Sequence, residues 1–106
     1  MTIVRIDPGV CGHTARVEAV SDDGAEVRIK VESHYASVKE MFEVLGDTFD
    51  GYEICLDKPG CGPLYAYAAE HFPPHCGCPV IAGVIKAAEA ACKLALPKDV
   101  SITFER

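Results

Sequence analysis

The chain has 106 residues, of which 49% are hydrophobic and 25% charged, so we expect one ordered globular domain spanning residues 1–106. The formal net charge is −6, with lysines and arginines scattered among the acids, which argues against a nucleic acid or a membrane surface as partner. The first residues do not resemble a targeting segment and no apolar run is long enough to span a bilayer, so we expect a cytoplasmic protein.

Three strands are predicted in the first third of the chain. Residues 2–7 alternate between apolar and polar and stop at a Pro-Gly pair. Residues 14–21 and 25–32 alternate more regularly, and an Asp-Asp-Gly turn signal separates them. Their apolar residues share one face and their charged residues the other, which predicts a hairpin with one buried and one solvated face.

The elements that follow are predicted from capping signals, apolar spacing and prolines. They are a helix over 37–45 with an alternative start near Ser33, a short strand over 52–56, a short helix over 64–72, a long helix over 79–96 and a final strand over 100–104. Together they predict an α+β fold, a sandwich in which a single antiparallel sheet of about four strands is covered by two to three helices.

The last predicted helix is apolar around most of its circumference. Two apolar stripes cover most of the helix and leave only a narrow polar stripe, formed by Lys86, Glu89 and Lys93. Such a helix packs on more than one side or forms a contact between subunits. A homo-oligomer formed through this helix, or an interface with another protein as a partner subunit, is therefore one expectation.

Residues that can bind a metal or react as nucleophiles are concentrated in the stretch His75-Cys76-Gly77-Cys78-Pro79, directly before the last helix. Proline suits the first position of a helix, which places Cys78 at or next to the N-cap. Unpaired amides and the helix dipole favour a thiolate there, so Cys78 is either a metal ligand or a reactive thiol.

A second candidate set lies near the start of the chain, where Cys11 and His13 are separated by one residue. Two loops that each supply soft ligands suit zinc or an iron–sulfur unit, although the two-residue gap of Cys-x-x-Cys is the more usual zinc spacing. The predicted metal ligands are Cys11, Cys76, Cys78, His13 and His75. This hypothesis requires the Cys11 loop to lie against the start of the last helix.

The alternative is a thiol or sulfur-transfer protein in which Cys78 is the reactive atom and no other catalytic residue is assigned. Three disulfides among the six cysteines would need an oxidising compartment, for which the sequence gives no sign. Cys55 and Cys92 lie in apolar patterns and are predicted to be core residues, whereas Cys61 precedes a helix start as Cys78 does.

The segment Cys78-Pro79-Val80-Ile81, with its helix and the strand after it, locally resembles the TusA-like sulfur carriers. Those proteins place a persulfide-bearing cysteine at a helix N-terminus of a small α/β sandwich. The likeness covers the last quarter of the chain, and Ile81 replaces the second proline of the family motif.

The chain as a whole resembles a family of small cysteine-bearing proteins known only as a domain of unknown function. Three segments carry this likeness: 7–12 (Asp-Pro-Gly-Val-Cys-Gly), 78–80 (Cys-Pro-Val) and 94–100 (Leu-Ala-Leu-Pro-Lys-Asp-Val). The resemblance implies no activity, but it favours pairing Cys11 with Cys78.

Overall fold

The computed structural model describes all of residues 1–106 and contains a four-stranded antiparallel sheet covered by helices. The strands follow the order β1-β2-β3-β4. The elements are β1 (Thr2–Ile6), a 3-10 helix (Gly9–Cys11), β2 (Ala15–Val20), β3 (Glu26–Ser33), α1 (Ala36–Leu45), β4 (Thr48–Asp50), α2 (Gly51–Cys55), α3 (Pro63–His71) and α4 (Val80–Ala91). The predicted α+β class is confirmed, with four α-helices in place of two to three. No helix of the chain is both long and apolar enough to cross a membrane.

The predicted hairpin is formed by β2 and β3, which pair with Val17 opposite Val31. The alternate residues Val17, Val27 and Ile29 are buried against the helices. The opposite face carries charges, among them Arg16, whose guanidinium lies 2.7 Å from the Glu18 carboxylate. One buried face and one solvated face are what the alternation predicts.

Helix α4 lies across β1 and β2 and supplies a large part of the core. Its buried residues are Val80, Ile81, Val84, Ala87 and Ala88. At Gly83 the helix comes so close to β1 that an added Cβ would lie 2.5 Å from Cγ1 of Ile6. This close approach holds the N-terminal half of α4 beside the end of β1. Packing within the chain therefore buries much of both apolar stripes, whereas Ile85, Ala91 and Leu94 stay partly exposed.

Two predictions around residue 50 are wrong. The segment predicted as a strand over 52–56 instead contributes to helix α2 (Gly51–Cys55), and the fourth strand, β4, lies in a segment predicted to be a loop. The Asp50 carboxylate accepts hydrogen bonds from the amides of Tyr52, at 2.9 Å, and Glu53, at 3.4 Å. This N-cap selects a helix for a five-residue segment whose apolar pattern fits either structure.

The end of the chain also differs from its prediction. Helix α4 stops at Ala91 rather than Leu96, and Lys93 adopts a left-handed conformation with φ of 59°. The strand predicted over 100–104 does not form, because no strand of the sheet lies beside this segment. Residues 96–106 are instead exposed and belong to no helix or strand.

Candidate metal centre

The loop after β1 is folded tightly enough to give Cys11 a defined position. The amide of Gly9 donates to the Asp7 carboxylate at 3.1 Å, which begins the single 3-10 turn. Gly12 ends that turn with φ of 72°, and its amide donates to the Gly9 carbonyl at 3.0 Å. A left-handed residue at this position favours glycine. Cys11 is therefore the last residue of the turn, and it is partly exposed.

A second turn brings His75 next to Cys78. Two prolines follow the end of α3, and the amide of Cys78 then donates to the His75 carbonyl at 3.2 Å. In such a turn the first and fourth residues are close together and the two middle residues form the tip. Cys76 lies at the tip and is exposed. His75 and Cys78 are thus neighbours, and Cys76 is not part of this arrangement.

The two loops meet, and three side chains come together where they do. One ligand atom each from Cys11, His75 and Cys78 lies within 4.8 Å of the other two. Cys11 and Cys78 are partly buried, and His75 is exposed. The Cys11 loop therefore lies against the start of the last helix, and the three donors are close enough together to bind one metal ion.

Two of the predicted ligands, Cys76 and His13, lie outside this group. The imidazole of His13 stacks on the ring of Tyr35, with 4.2 Å between centroids and 12° between planes. Tyr35 is buried and also contacts Phe72 edge to face, at 5.6 Å between centroids. The role of His13 in the structure is thus to cover an aromatic cluster beside the site.

The sulfur of Cys78 lies just before α4, next to Pro79 at the N-cap position. Burial raises the pKa of the Cys78 thiol above its ordinary value, and the adjacent Cys11 sulfur raises it further. The backbone amide of Val80 donates to the sulfur and has the opposite effect. Burial outweighs this hydrogen bond, so the expectation that the helix end lowers the pKa of this thiol is wrong for the metal-free protein.

Two tyrosines of the core region lie near the Cys78 sulfur: Tyr35 belongs to the core and Tyr65 packs against it. Burial raises the pKa of both Tyr35 and Tyr65, and the nearby sulfur of Cys78 adds to the effect in each case. Sequence reasoning assigned neither tyrosine to the site, because only the fold places them beside it.

The remaining cysteines lie outside the group. Cys92 is buried, as predicted, with 4% of its surface exposed. Cys55 is half-buried, and burial raises its pKa to about 11, with further contributions from Cys92 and Glu89. Cys61 is exposed.

The sequence does contain a signal for His75. The residues from His75 to Cys78 read His-x-x-Cys, which has the two-residue gap of a zinc knuckle. The Cys76 side chain, one residue before Gly77, lies outside the group that His75 and Cys78 form with Cys11. The two-residue gap between His75 and Cys78 fits the turn in which the Cys78 amide donates to the His75 carbonyl.

One comparison with known proteins gives a match. The model of a Family of unknown function (DUF6951) matches residues 2–104, and the chain therefore belongs to that family. The expected resemblance to a domain of unknown function is thereby confirmed. No match was found among curated proteins or among solved structures, and a relationship to the TusA-like sulfur carriers is not shown.

Proposed function

We propose that this member of the DUF6951 family is a zinc-binding protein whose ligands are Cys11, His75 and Cys78. The observation that carries the proposal is the convergence of two thiols and one imidazole, from two loops far apart in the sequence, within 4.8 Å. Thiolate and imidazole are the ligands that zinc prefers in proteins.

The spacing of the donors fits a single ion. With Zn–S bonds of ~2.3 Å and Zn–N bonds of ~2.05 Å, tetrahedral geometry places ligand atoms about 3.6–3.8 Å apart. The three donors, all within 4.8 Å of one another, need to approach by about 1 Å at most. Small rotations of exposed or half-exposed side chains supply such a change.

An iron–sulfur unit fits less well, because clusters are held by four protein ligands that are mostly thiolates. The group here offers two thiols and one imidazole. The sulfur-transfer alternative calls for an accessible thiolate at Cys78, and burial of this thiol weighs against it.

Chain residues would occupy three of the four positions of a tetrahedral zinc site. The fourth position would belong to water or to a molecule from outside, an arrangement typical of zinc sites that bind or polarise small ligands. The Val80 amide would orient the Cys78 thiolate, as hydrogen bonds to metal ligands commonly do. The proposal includes the cytoplasm as the location, because a reducing compartment keeps thiols available for metal.

The test is zinc binding by the full chain after chelator treatment under reducing conditions. We expect one zinc ion per chain by elemental analysis, and a cobalt-substituted form with the strong visible absorption of tetrahedral thiolate coordination. Competition with a chromophoric chelator gives the affinity. Cys11→Ser, His75→Ala and Cys78→Ser should each weaken zinc binding at least about tenfold.

The chain offers two matched controls. Cys76→Ser removes a thiol from the same turn as Cys78, and His13→Ala removes an imidazole from the same loop as Cys11. Both should leave the zinc affinity within about twofold of the parent, since neither side chain belongs to the group. Equal losses in Cys76→Ser and Cys78→Ser would refute the ligand set. Stoichiometric acid-labile sulfide in protein purified without oxygen would refute zinc in favour of a cluster.

A further inference from the structure

The C-terminal segment has the pattern of a strand but no strand beside it. Val100, Ile102 and Phe104 are 65%, 83% and 80% exposed. Polar residues alternate with them, so all three apolar side chains share one face when the segment is extended. β-branched and aromatic residues in this alternation are typical of a half-buried strand. A partner for this face is therefore missing from the single chain.

The sheet has a free edge of matching length. β1 pairs with β2 alone, and its other side carries no strand. Its five residues contain no proline, and its outward-facing side chains are Ile3, which is 52% exposed, and Arg5. An unpaired edge of this kind accepts a further strand through its free backbone groups. The opposite edge, β4, has three residues and continues directly into α2.

We propose that residues 99–105 of one chain add a fifth strand to the β1 edge of a second copy, and that the exchange is mutual. Each copy then offers one strand and one edge, so a two-fold pair satisfies both and leaves no β1 edge free. The apolar face of the added strand extends the buried face of the sheet beside Val4 and Ile6. Its polar face, which ends in Glu105, lies on the same side as Arg5 and complements its charge.

The position of the end of α4 favours a second copy over the chain's own edge. A Cβ at Gly51 would lie 2.6 Å from the Cys92 sulfur, and a Cβ at Gly24 would lie 3.4 Å from the Cys92 carbonyl. The helix therefore ends near β4 and the β2–β3 turn, with the width of the sheet between it and the free edge of β1. To reach its own edge, the segment after Leu94 would have to run nearly extended across the end of the sheet, past Pro97. A second copy approaches the edge from outside and needs no such path.

The proposal does not depend on zinc and is tested on the full chain without metal. We expect sedimentation equilibrium to give a dimer in reversible exchange with monomer. Ile102→Lys places a charge in the centre of the apolar face and should raise the dimer dissociation constant at least about tenfold. Thr103→Lys adds the same charge to the polar face and should change the dimer dissociation constant less than about threefold. Both sites are exposed in the single chain, so folding is unaffected.

Amide hydrogen exchange supplies the second readout. The β1 amides that point away from β2 should be protected in the parent protein at high concentration and exposed in Ile102→Lys. A monomer at all concentrations, or a dimer that Ile102→Lys leaves unchanged, would overturn the proposal. Protection of these amides in a species of monomer mass would overturn it too, since the segment would then pair with its own sheet.

Discussion

The contact between Gly83 and Ile6 yields a quantitative test of how the fold positions the candidate site. In Gly83→Ala the new Cβ would lie 2.5 Å from Cγ1 of Ile6 and would also meet Cδ1. Alanine gains about 1 kcal/mol over glycine inside a helix, while overpacking costs about 1–3 kcal/mol. Since two atoms of one buried side chain are involved, we take the cost as ~3 kcal/mol, which gives a net loss of about 2 kcal/mol.

Ile6→Ala removes both contacting atoms and should by itself lower the free energy of unfolding by about 3 kcal/mol. If the two changes acted independently, the double variant would lose about 5 kcal/mol. Because the new methyl group has room once Ile6 is truncated, we expect the free energy of unfolding of the double variant to fall by only about 2 kcal/mol. The difference from the additive value is a coupling energy of about 3 kcal/mol between the two positions. Ala82→Gly, at the neighbouring exposed position of α4, measures the helix propensity alone and should cost about 1 kcal/mol.

Urea denaturation of the four cycle members and Ala82→Gly gives these values, and zinc competition on the same proteins connects them to the site. Ile6 and Gly83 lie on the elements that lead to Cys11 and from Cys78, so pushing α4 away from β1 should also separate the two sulfurs. We expect weaker zinc binding by Gly83→Ala and recovery in the double variant. A Gly83→Ala protein as stable as the parent, or a double variant whose loss equals the sum, would refute the reasoning.

Two further predictions concern single side chains. Alkylation under native conditions should modify exposed Cys61 fast and Cys55 slowly, because burial raises the pKa of Cys55 to about 11; comparable rates in peptide mass spectra would contradict this. The backbone amides of Glu26 and Ala25 hold the pKa of the Asp23 carboxyl below its usual value of 3.8. The ionised carboxylate therefore stabilises the fold at pH values above 3.8, and this stabilisation is lost as the pH falls through the lowered pKa of the folded protein. The stability difference between the parent and Asp23→Asn should therefore be present at pH 6 and shrink below pH 4; a difference independent of pH would exclude this role.

The sheet could be predicted from the sequence to a large extent because its alternation is long and has polar residues on one face. The segment from residue 52 to 56 could not, since five residues of mixed polarity fit a strand or a helix turn equally well. There a single capping side chain, Asp50, decides the outcome. At the C-terminus the alternation predicts a strand that the single chain does not form, because a strand needs an edge to pair with, and the position of an edge depends on the whole fold.

The candidate site, like the fold, could be predicted from the sequence only in part. Cys78 was predictable because a proline marks the start of its helix, and the resemblance to the uncharacterised family favoured Cys11 as its partner. His75 was among the predicted ligands, and the turn that brings its first and fourth residues together places it beside Cys78. The pKa of Cys78 was predicted in the wrong direction, because the sequence shows the helix end but not the burial of this thiol against the core.

Helix α4 lies between the candidate zinc site and the C-terminal segment that is proposed to form the dimer. Its first turn follows Cys78, and its last turn ends by Cys92, beyond which the exposed C-terminal segment begins. Twelve residues of helix span about 18 Å, so the metal ligands and the apolar anchor Ile102 lie beyond opposite ends of it. Within one chain, a substitution at one end should therefore leave the measurement at the other unchanged, since sites this far apart with no shared partners act independently. Zinc binding that fails in Ile102→Lys at concentrations where the parent is also a monomer would mean that α4 transmits a change between its ends. Zinc binding that weakens only where the parent forms a dimer would instead mean that the added strand on β1 supports the Cys11 loop, which follows β1 directly.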